Sequence, residues 1–157
     1  MNICNKFNIQ PNWFLLSIED PDALHGKSII NVIKHIECVM NFNHVVIDDI
    51  YGAVTRDLIK NQNEIMLIGE LLIELEKVAQ FDWGDFFLFR DYPNHWNNST
   101  DLGYPSLIAQ TDTTIRAIDD TYIYIYTPHQ KIVEILKENY KIEKELKGLL
   151  KDLEYPS

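Results

Sequence analysis

Cysteine is scarce in this sequence of 157 residues, which contains only Cys4 and Cys38. The two residues are not arranged as a CxxC pair, the spacing that redox centres and zinc sites commonly use. Disulfides are also rare in reducing compartments. We therefore expect both cysteines to be ordinary free thiols.

Long apolar runs are missing as well. No stretch reaches the roughly eighteen uninterrupted apolar residues that a membrane-spanning helix needs. The first ten residues, MNICNKFNIQ, lack the basic start and the apolar run of a signal peptide. We expect a soluble, cytoplasmic protein with no membrane partner. Its length and its 46% hydrophobic content suit one well-buried core, so we predict a single domain over residues 1–157.

Positive charge is in short supply, because 14 basic residues stand against 24 acidic ones, for a net charge of −10. Nucleic acids and anionic membranes both attract basic surfaces, so this balance argues against either partner and favours a basic protein. The acidity is strongest in residues 80–127, which carry seven acids and only Arg90 and Arg116 as bases. An alternative interpretation is that the acidity only keeps the protein soluble.

Signatures of catalysis and cofactor binding are incomplete. The sequence HGKS at residues 25–28 resembles the end of a phosphate-binding loop, but that pattern requires a glycine where this chain has Pro21. His35 and Cys38 have a helical spacing that would suit zinc, but no second close pair accompanies them. No serine lies in a GxSxG context. We predict no cofactor, no metal and no enzymatic activity.

Apolar residues recur every three or four positions through the first half of the chain, which is the period of an amphipathic helix. This pattern predicts a helix from Ser28, as its N-cap, to about residue 41, a second over 47–61, and a third over 63–79. The apolar run NWFLLSI at 12–18 is compatible with either a strand or the start of a helix.

The period changes to two after Gln80, which predicts β-structure. Residues 86–89 form a predicted strand, and TTIRAI at 113–118 with TYIYIYT at 121–127 form a predicted hairpin around two aspartates. Alternation places the isoleucines of the second hairpin strand on the core face. It places three tyrosines on the opposite face: Tyr122, Tyr124 and Tyr126.

The end of the chain has a strong helix-start signal. Thr127 and Gln130 match a capping box, and Pro128 suits the first helical position. A heptad-like seam continues to Leu153, and its short length favours packing within one domain over a coiled-coil dimer, so we expect a monomer. The predicted fold class is α+β, with N-terminal helices, a small antiparallel sheet with a hairpin, and a long C-terminal helix.

Aromatic and acidic residues are concentrated in QFDWGDFFLFRDYP at residues 80–93 and in the segments that follow. Tryptophan and tyrosine are enriched at interface hot spots, and aspartates steer basic partners. An alternative is that the tyrosines are half-buried beneath the C-terminal helix. The predicted partner-binding residues are Asp82, Trp83, Asp85, Asp91, Tyr92, Trp96, Asp101, Tyr104, Tyr122 and Tyr124.

A small acidic protein of this kind, with FDWGDFFLFRDYP followed by LIAQTDTTIRAIDDTYIYIYTP, resembles the immunity proteins of bacterial polymorphic-toxin and contact-dependent growth inhibition systems. The resemblance implies a non-enzymatic inhibitor that binds its cognate toxin domain, often a nuclease with a basic cleft, and blocks access to it. Immunity proteins diverge widely, so no functional residue is carried over from them.

Two other functions fit the sequence. A small regulatory or adaptor protein of a mobile element would use the same acidic, aromatic surface for a different basic protein. An acid-dependent hydrolase would instead use Asp48, Asp49 or His44, because paired carboxylates can act as general acid and base.

Overall fold

The computed structural model describes residues 12–20, 24–99 and 101–157, so Cys4 and Pro21 lie outside the described residues. The described chain forms a seven-stranded sheet in the order β3-β2-β4-β5-β6-β1-β7, and all neighbouring strands are antiparallel. The strands are β1 (Trp13–Glu19), β2 (His44–Ala53), β3 (Ile65–Leu67), β4 (Gln80–Phe89), β5 (Thr113–Ile118), β6 (Tyr122–Thr127) and β7 (Ile142–Gly148).

Five short α-helices accompany the sheet in the described parts of the chain. They are α1 (Gly26–Glu37), α2 (Arg56–Lys60), α3 (Ile68–Leu75), α4 (Tyr104–Ile108) and α5 (Gln130–Asn139), and a 3-10 turn follows at Leu150–Asp152. Among the described residues, no helix has the length and apolar character needed to cross a membrane.

The sheet is covered on both faces. Helices α1, α3 and α5 pack on one face, which we call the helical face, against side chains such as Ile47, Phe86 and Ile125. The other face is rich in aromatic side chains, including Phe87 and Tyr126, and we call it the aromatic face. Parts of the loop before β5 and of the segment after β7 cover it, with side chains that include Trp96, Tyr104, Leu150, Leu153 and Tyr155.

The predicted fold class is wrong, because the protein is mostly sheet. The helix expected over 47–61 is largely β2, which continues to Ala53. An extra residue in this strand places Ile47 and Ile50 three residues apart on the same face. A spacing of three is also the helical spacing, so the irregular strand imitates an amphipathic helix.

The long C-terminal helix is also wrong. Helix α5 ends at Asn139, and the chain then forms the edge strand β7. Ile142 packs toward the helical face and Leu146 toward the aromatic face, so the two do not share one seam. Thr127 is the last residue of β6 rather than a helix cap, and its hydroxyl accepts a hydrogen bond from the backbone N–H of His129 at 3.2 Å.

Several local predictions are confirmed. The first helix is α1, although its N-cap is His25 rather than Ser28 and it ends at Glu37 rather than near residue 41. The ambiguous run at 12–18 is β1. The strand predicted at 86–89 is the end of β4. The hairpin is β5 and β6, whose isoleucines are on the helical face and whose tyrosines are on the aromatic face. Asp119 and Asp120, with φ of 50° and 51°, lie in its turn, which spans the three residues 119–121 because Ile118 pairs with Tyr122.

The HGKS sequence forms the contact between the start of α1 and the end of α3. The N–H of Gly26 donates to Val78 O at 3.1 Å, and the Ser28 hydroxyl donates to an Asp20 carboxylate oxygen at 2.5 Å. A Cβ atom at Gly26 would lie 1.8 Å from Leu75 O, so only glycine lets α1 start this close to the end of α3. The requirement for glycine at this position is therefore explained by helix packing, without a phosphate ligand.

We expect Gly26→Ala to lower the free energy of unfolding by about 1 to 3 kcal/mol, because the added methyl group forces the two helices apart. Gly69→Ala is the matched control, since a Cβ at Gly69 in α3 meets nothing within 4 Å. This second change should be neutral or stabilising by up to about 1 kcal/mol, because alanine is the better helix former. Urea denaturation measures both. Equal stability of the two variants would contradict the packing explanation.

Candidate partner-binding surface

A β-bulge in β2 sets the direction of one exposed aromatic side chain. Asp48 pairs with Asp85 of β4, and Tyr51 pairs with Trp83, so β2 has one more residue than β4 between these pairs. Asp49, in the extra stretch, has a φ of 54°. The extra residue resets the alternation of the strand, and Tyr51 thereby reaches the aromatic face beside Trp83.

A second bulge, in β4, lies on the other side of the same pair. Tyr51 pairs with Trp83 and the next residue, Gly52, pairs with Phe81, which leaves Asp82 as the extra residue. Phe81 packs in the core of the helical face, whereas Trp83 packs on the aromatic face. Gly52 has a φ of 138°, and a Cβ there would lie 2.4 Å from Gln80 O. Both strands therefore depart from regular pairing on either side of Tyr51 and Trp83.

The row of side chains across this end of the sheet continues from β4 to β1. Ile118 pairs with Tyr122, and Tyr122 pairs with Glu19. Tyr51 is 60% exposed and Tyr122 is 37% exposed, while Trp83 is half-buried. Three aromatic side chains in this row are thus accessible to a partner.

Four aspartates belong to the same end of the sheet. Asp49 and Asp82 come from the bulges, and Asp119 and Asp120 form the adjacent hairpin turn, where Asp120 N donates to Asp82 O at 3.0 Å. Within the described chain, none of the four carboxylates is in an ion pair with a basic side chain. We call this set the acidic end: Tyr51, Trp83 and Tyr122 with Asp49, Asp82, Asp119 and Asp120.

One row further into the sheet, the aromatic face buries an ion pair. Arg116 Nε donates to Asp85 Oδ1 at 2.9 Å, and the guanidinium lies 3.8 Å from the centre of the Tyr104 ring. The Tyr104 hydroxyl donates to Asp85 Oδ2 at 3.1 Å, and Arg116 Nη2 donates to Pro156 O at 2.7 Å. Arg116 is 0% exposed. We call this arrangement the Arg116 clamp: a guanidinium held by a carboxylate and an aromatic ring.

Burial raises the pKa of Asp85 to about 6, against the opposing effect of Arg116, and the nearby charge of Asp49 adds to the rise. Burial and the charge of Asp85 also raise the pKa of the Tyr104 hydroxyl, which therefore remains a hydrogen-bond donor at neutral pH. At pH 7 the Asp85 carboxyl is still mostly ionised, so the clamp holds opposite charges.

The segment after β7 closes the aromatic face over these residues. The Tyr126 hydroxyl donates to Glu154 O at 2.6 Å, and the Tyr155 hydroxyl donates to Leu150 O. The Tyr155 ring stacks on Tyr126 with centroids 5.4 Å apart and on Tyr104 at 6.2 Å. The tyrosine row is therefore covered for most of its length, but by an extended segment rather than by a C-terminal helix.

The predicted partner-binding residues do not form one surface. Asp82, Trp83 and Tyr122 lie at the acidic end. Asp91 and Tyr92 follow the opposite end of β4, about 25 Å away along the strand. Both are exposed, and the Tyr92 ring contacts His44 edge-on with centroids 5.1 Å apart.

The remaining predicted residues lie elsewhere on the aromatic face or in its cover. Asp85 and Tyr124 are only 3% and 8% exposed, so they are not accessible to a partner in this structure. Trp96 packs on Phe87 and Phe89, and Tyr104 belongs to the Arg116 clamp. Asp101 is exposed in the loop before α4.

Sequence reasoning missed four residues of the acidic end: Asp49, Tyr51, Asp119 and Asp120. Asp49 and Tyr51 fall within the helix expected over 47–61. That helix does not predict that either residue lies beside Trp83. The turn at 119–120 is predicted by the sequence. Its position next to Asp82 is not, because that position depends on the pairing of β4 with β5.

The structure does not bring His44 together with the two adjacent hydrolase aspartates, Asp48 and Asp49. His44 begins β2, and Asp48 lies four residues further along it, about 13 Å away. Asp48 Oδ1 accepts a hydrogen bond from Asn63 Nδ2 at 3.3 Å. Across residues 12–20, 24–99 and 101–157, no three histidine, cysteine, aspartate or glutamate side chains are grouped to hold a metal ion.

Comparisons with protein-family models, with curated protein sequences and with solved structures give no match to this chain. Exposed aromatic rings beside unpaired carboxylates can bind cationic side chains and provide apolar contact area in the same place.

Proposed function

We propose that this chain is a bacterial immunity protein: a non-enzymatic inhibitor that binds a cognate basic toxin domain in the cytoplasm and blocks its active-site cleft. The supporting observation is the Tyr51–Trp83 pair, which two bulges place at an exposed end of the sheet among four carboxylates that form no ion pair with the described residues. Bulges re-aim side chains and are common next to functional sites.

The two kinds of side chain at the acidic end have different tasks in such a complex. A half-buried ring such as Trp83 provides rigid apolar area that a partner can desolvate, which slows dissociation. The carboxylates around it attract a basic cleft over a distance of about one Debye length and speed association. A nuclease cleft suits this surface, because it is built to receive the negative charge of phosphates.

Co-expression tests the proposed function. Cells that produce the toxin domain encoded beside this gene should survive when this chain is also produced, and should die when it is not. An adaptor that binds another basic protein would use the same surface without protecting the cell. Death of cells that contain both proteins, with both shown to be folded and soluble, would overturn the proposal.

Charge reversal at the acidic end should slow association. We expect Asp82→Lys with Asp119→Lys to lower the association rate constant by about tenfold or more at low salt, and to flatten its dependence on salt. The matched control is Glu134→Lys with Glu138→Lys, which makes the same change in net charge on the exposed side of α5. Surface plasmon resonance against the toxin domain measures both pairs. If the two pairs slow association equally, net charge rather than the acidic end is responsible.

A further inference from the structure

We propose that the acidic end recognises arginine side chains of the partner in preference to lysine. The inference rests on the proposed function, since it takes the acidic end as the surface that meets the partner. Charge attraction alone would not distinguish the two basic side chains, so the selectivity must come from the planar guanidinium, which a ring contacts on its face and a carboxylate binds at its edge.

The protein itself shows how this sheet holds a guanidinium. In the Arg116 clamp, Asp85 accepts from Nε at 2.9 Å while the Tyr104 ring lies 3.8 Å from the guanidinium carbon. The carboxylate bonds the planar group at its edge and the ring contacts its face. Lysine lacks this planar shape, because its ammonium is a compact and strongly hydrated point charge.

The acidic end offers the same two chemical groups one row further out. Trp83 precedes Asp85 by two residues on β4, and Tyr122 precedes Tyr124 by two residues on β6, so both rings are on the aromatic face. Unlike the clamp, this row is accessible, and Tyr51 widens it by a third ring. Asp49 and Asp82 stand at the bulges on either side of the Tyr51–Trp83 pair.

The difference from the Arg116 clamp is that no arginine of the described chain occupies this outer row. Arg116 is engaged by Asp85, and the carboxylates of the acidic end form no ion pair within the described ranges. A guanidinium brought by the partner can stack on an accessible ring of this row while it donates to a carboxylate of the acidic end, where Asp82 Oδ1 already accepts from Gln80 Nε2 at 3.1 Å. Charge complementarity and the flat rings thus specify the same ligand.

Two blocked peptides of equal length and charge test the preference, one alternating glycine with arginine and the other alternating glycine with lysine. Amide NMR titration should show about fivefold tighter binding of the arginine peptide, with the largest shifts at Tyr51, Trp83 and Tyr122. Tyr51→Leu with Trp83→Leu and Tyr122→Leu keeps apolar side chains in the row and removes all three rings. This variant should bind the lysine peptide as the wild type does and should lose most of the preference for arginine.

Equal affinity for the two peptides would overturn the inference, and so would an arginine preference that survives undiminished in the folded triple variant. The result can be separated from that of the proposed function. If the toxin is neutralised and the peptides bind equally, only the arginine preference fails. If the arginine peptide is preferred and the toxin is not neutralised, the arginine preference stands and the immunity function fails.

Discussion

Replacing Asp85 with alanine should lower the free energy of unfolding by about 3 to 5 kcal/mol, the usual cost of removing one member of a buried ion pair. Arg116 is 0% exposed, so its charge would be left with the Pro156 carbonyl and the Tyr104 ring as its partners. Arginine keeps its proton in proteins and therefore cannot become neutral to relieve this cost. Chemical denaturation at neutral pH measures the loss.

Arg116→Met should cost less, because the carboxyl that it leaves buried can take up a proton. The pKa of Asp85 is already raised to about 6 in the wild type, and loss of the guanidinium raises it further. The folded variant then binds a proton that the unfolded chain, with a carboxyl pKa of about 3.9, releases. Its free energy of unfolding should therefore rise as the pH falls from 8 toward 5.

The double variant Asp85→Leu with Arg116→Met separates charge from packing. With both charges removed, most of the loss should be recovered, since well-packed apolar residues often replace a buried ion pair at little cost. In the described chain, Arg116 Nη1 is buried without an acceptor, which makes full recovery easier. A double variant as unstable as the sum of the single changes would show that the clamp is not a coupled pair.

Replacing Trp83 with alanine should weaken toxin binding by about 2 to 4 kcal/mol, which corresponds to a dissociation rate about 30-fold to 1,000-fold higher. The ring is half-buried against the aromatic face and is paired with the exposed Tyr51, so truncation removes the centre of the accessible row. The association rate should change little, because the carboxylates remain.

The same surface plasmon resonance assay gives both rates for this variant. Because Trp83 packs against the core of the aromatic face, the variant must first show the melting transition of a folded protein. Wild-type dissociation from a folded Trp83→Ala protein would place the interface away from the acidic end. A loss confined to the association rate would assign the ring a role in steering rather than anchoring.

The sequence was most informative where strands are regular. The hairpin of β5 and β6 was predictable because alternation is unbroken on both strands and Asp119 and Asp120 suit its turn. It was misleading at β2 and β7, where single-residue irregularities change which face a side chain meets. A bulge turns a period of two into a local spacing of three, and periodicity alone cannot distinguish this from a helix.

The candidate site was partly predictable for the same reason. Asp82, Trp83 and Tyr122 were recognisable from their chemistry, but the exposure of an aromatic or acidic residue depends on what covers it. Asp85 and Tyr124 are buried because residues far along the chain, among them Tyr155 and Pro156, close this face. Such coverage is a long-range property that local sequence patterns do not contain.

The position of β1 in the sheet has a consequence for how the chain folds. This strand comes first among the described strands, yet its neighbours are β6 and β7, so each of its ladders joins residues more than 100 positions apart. High contact order slows folding, because the entropy cost of closing a long loop comes before the stabilisation that strand pairing provides. On the ribosome, the apolar segment WFLLSI must wait, with both edges unpaired, until β6 has been synthesised. We therefore expect β1 to pair only after β6 has left the ribosome, and the chain to benefit from chaperones that shield that strand until then.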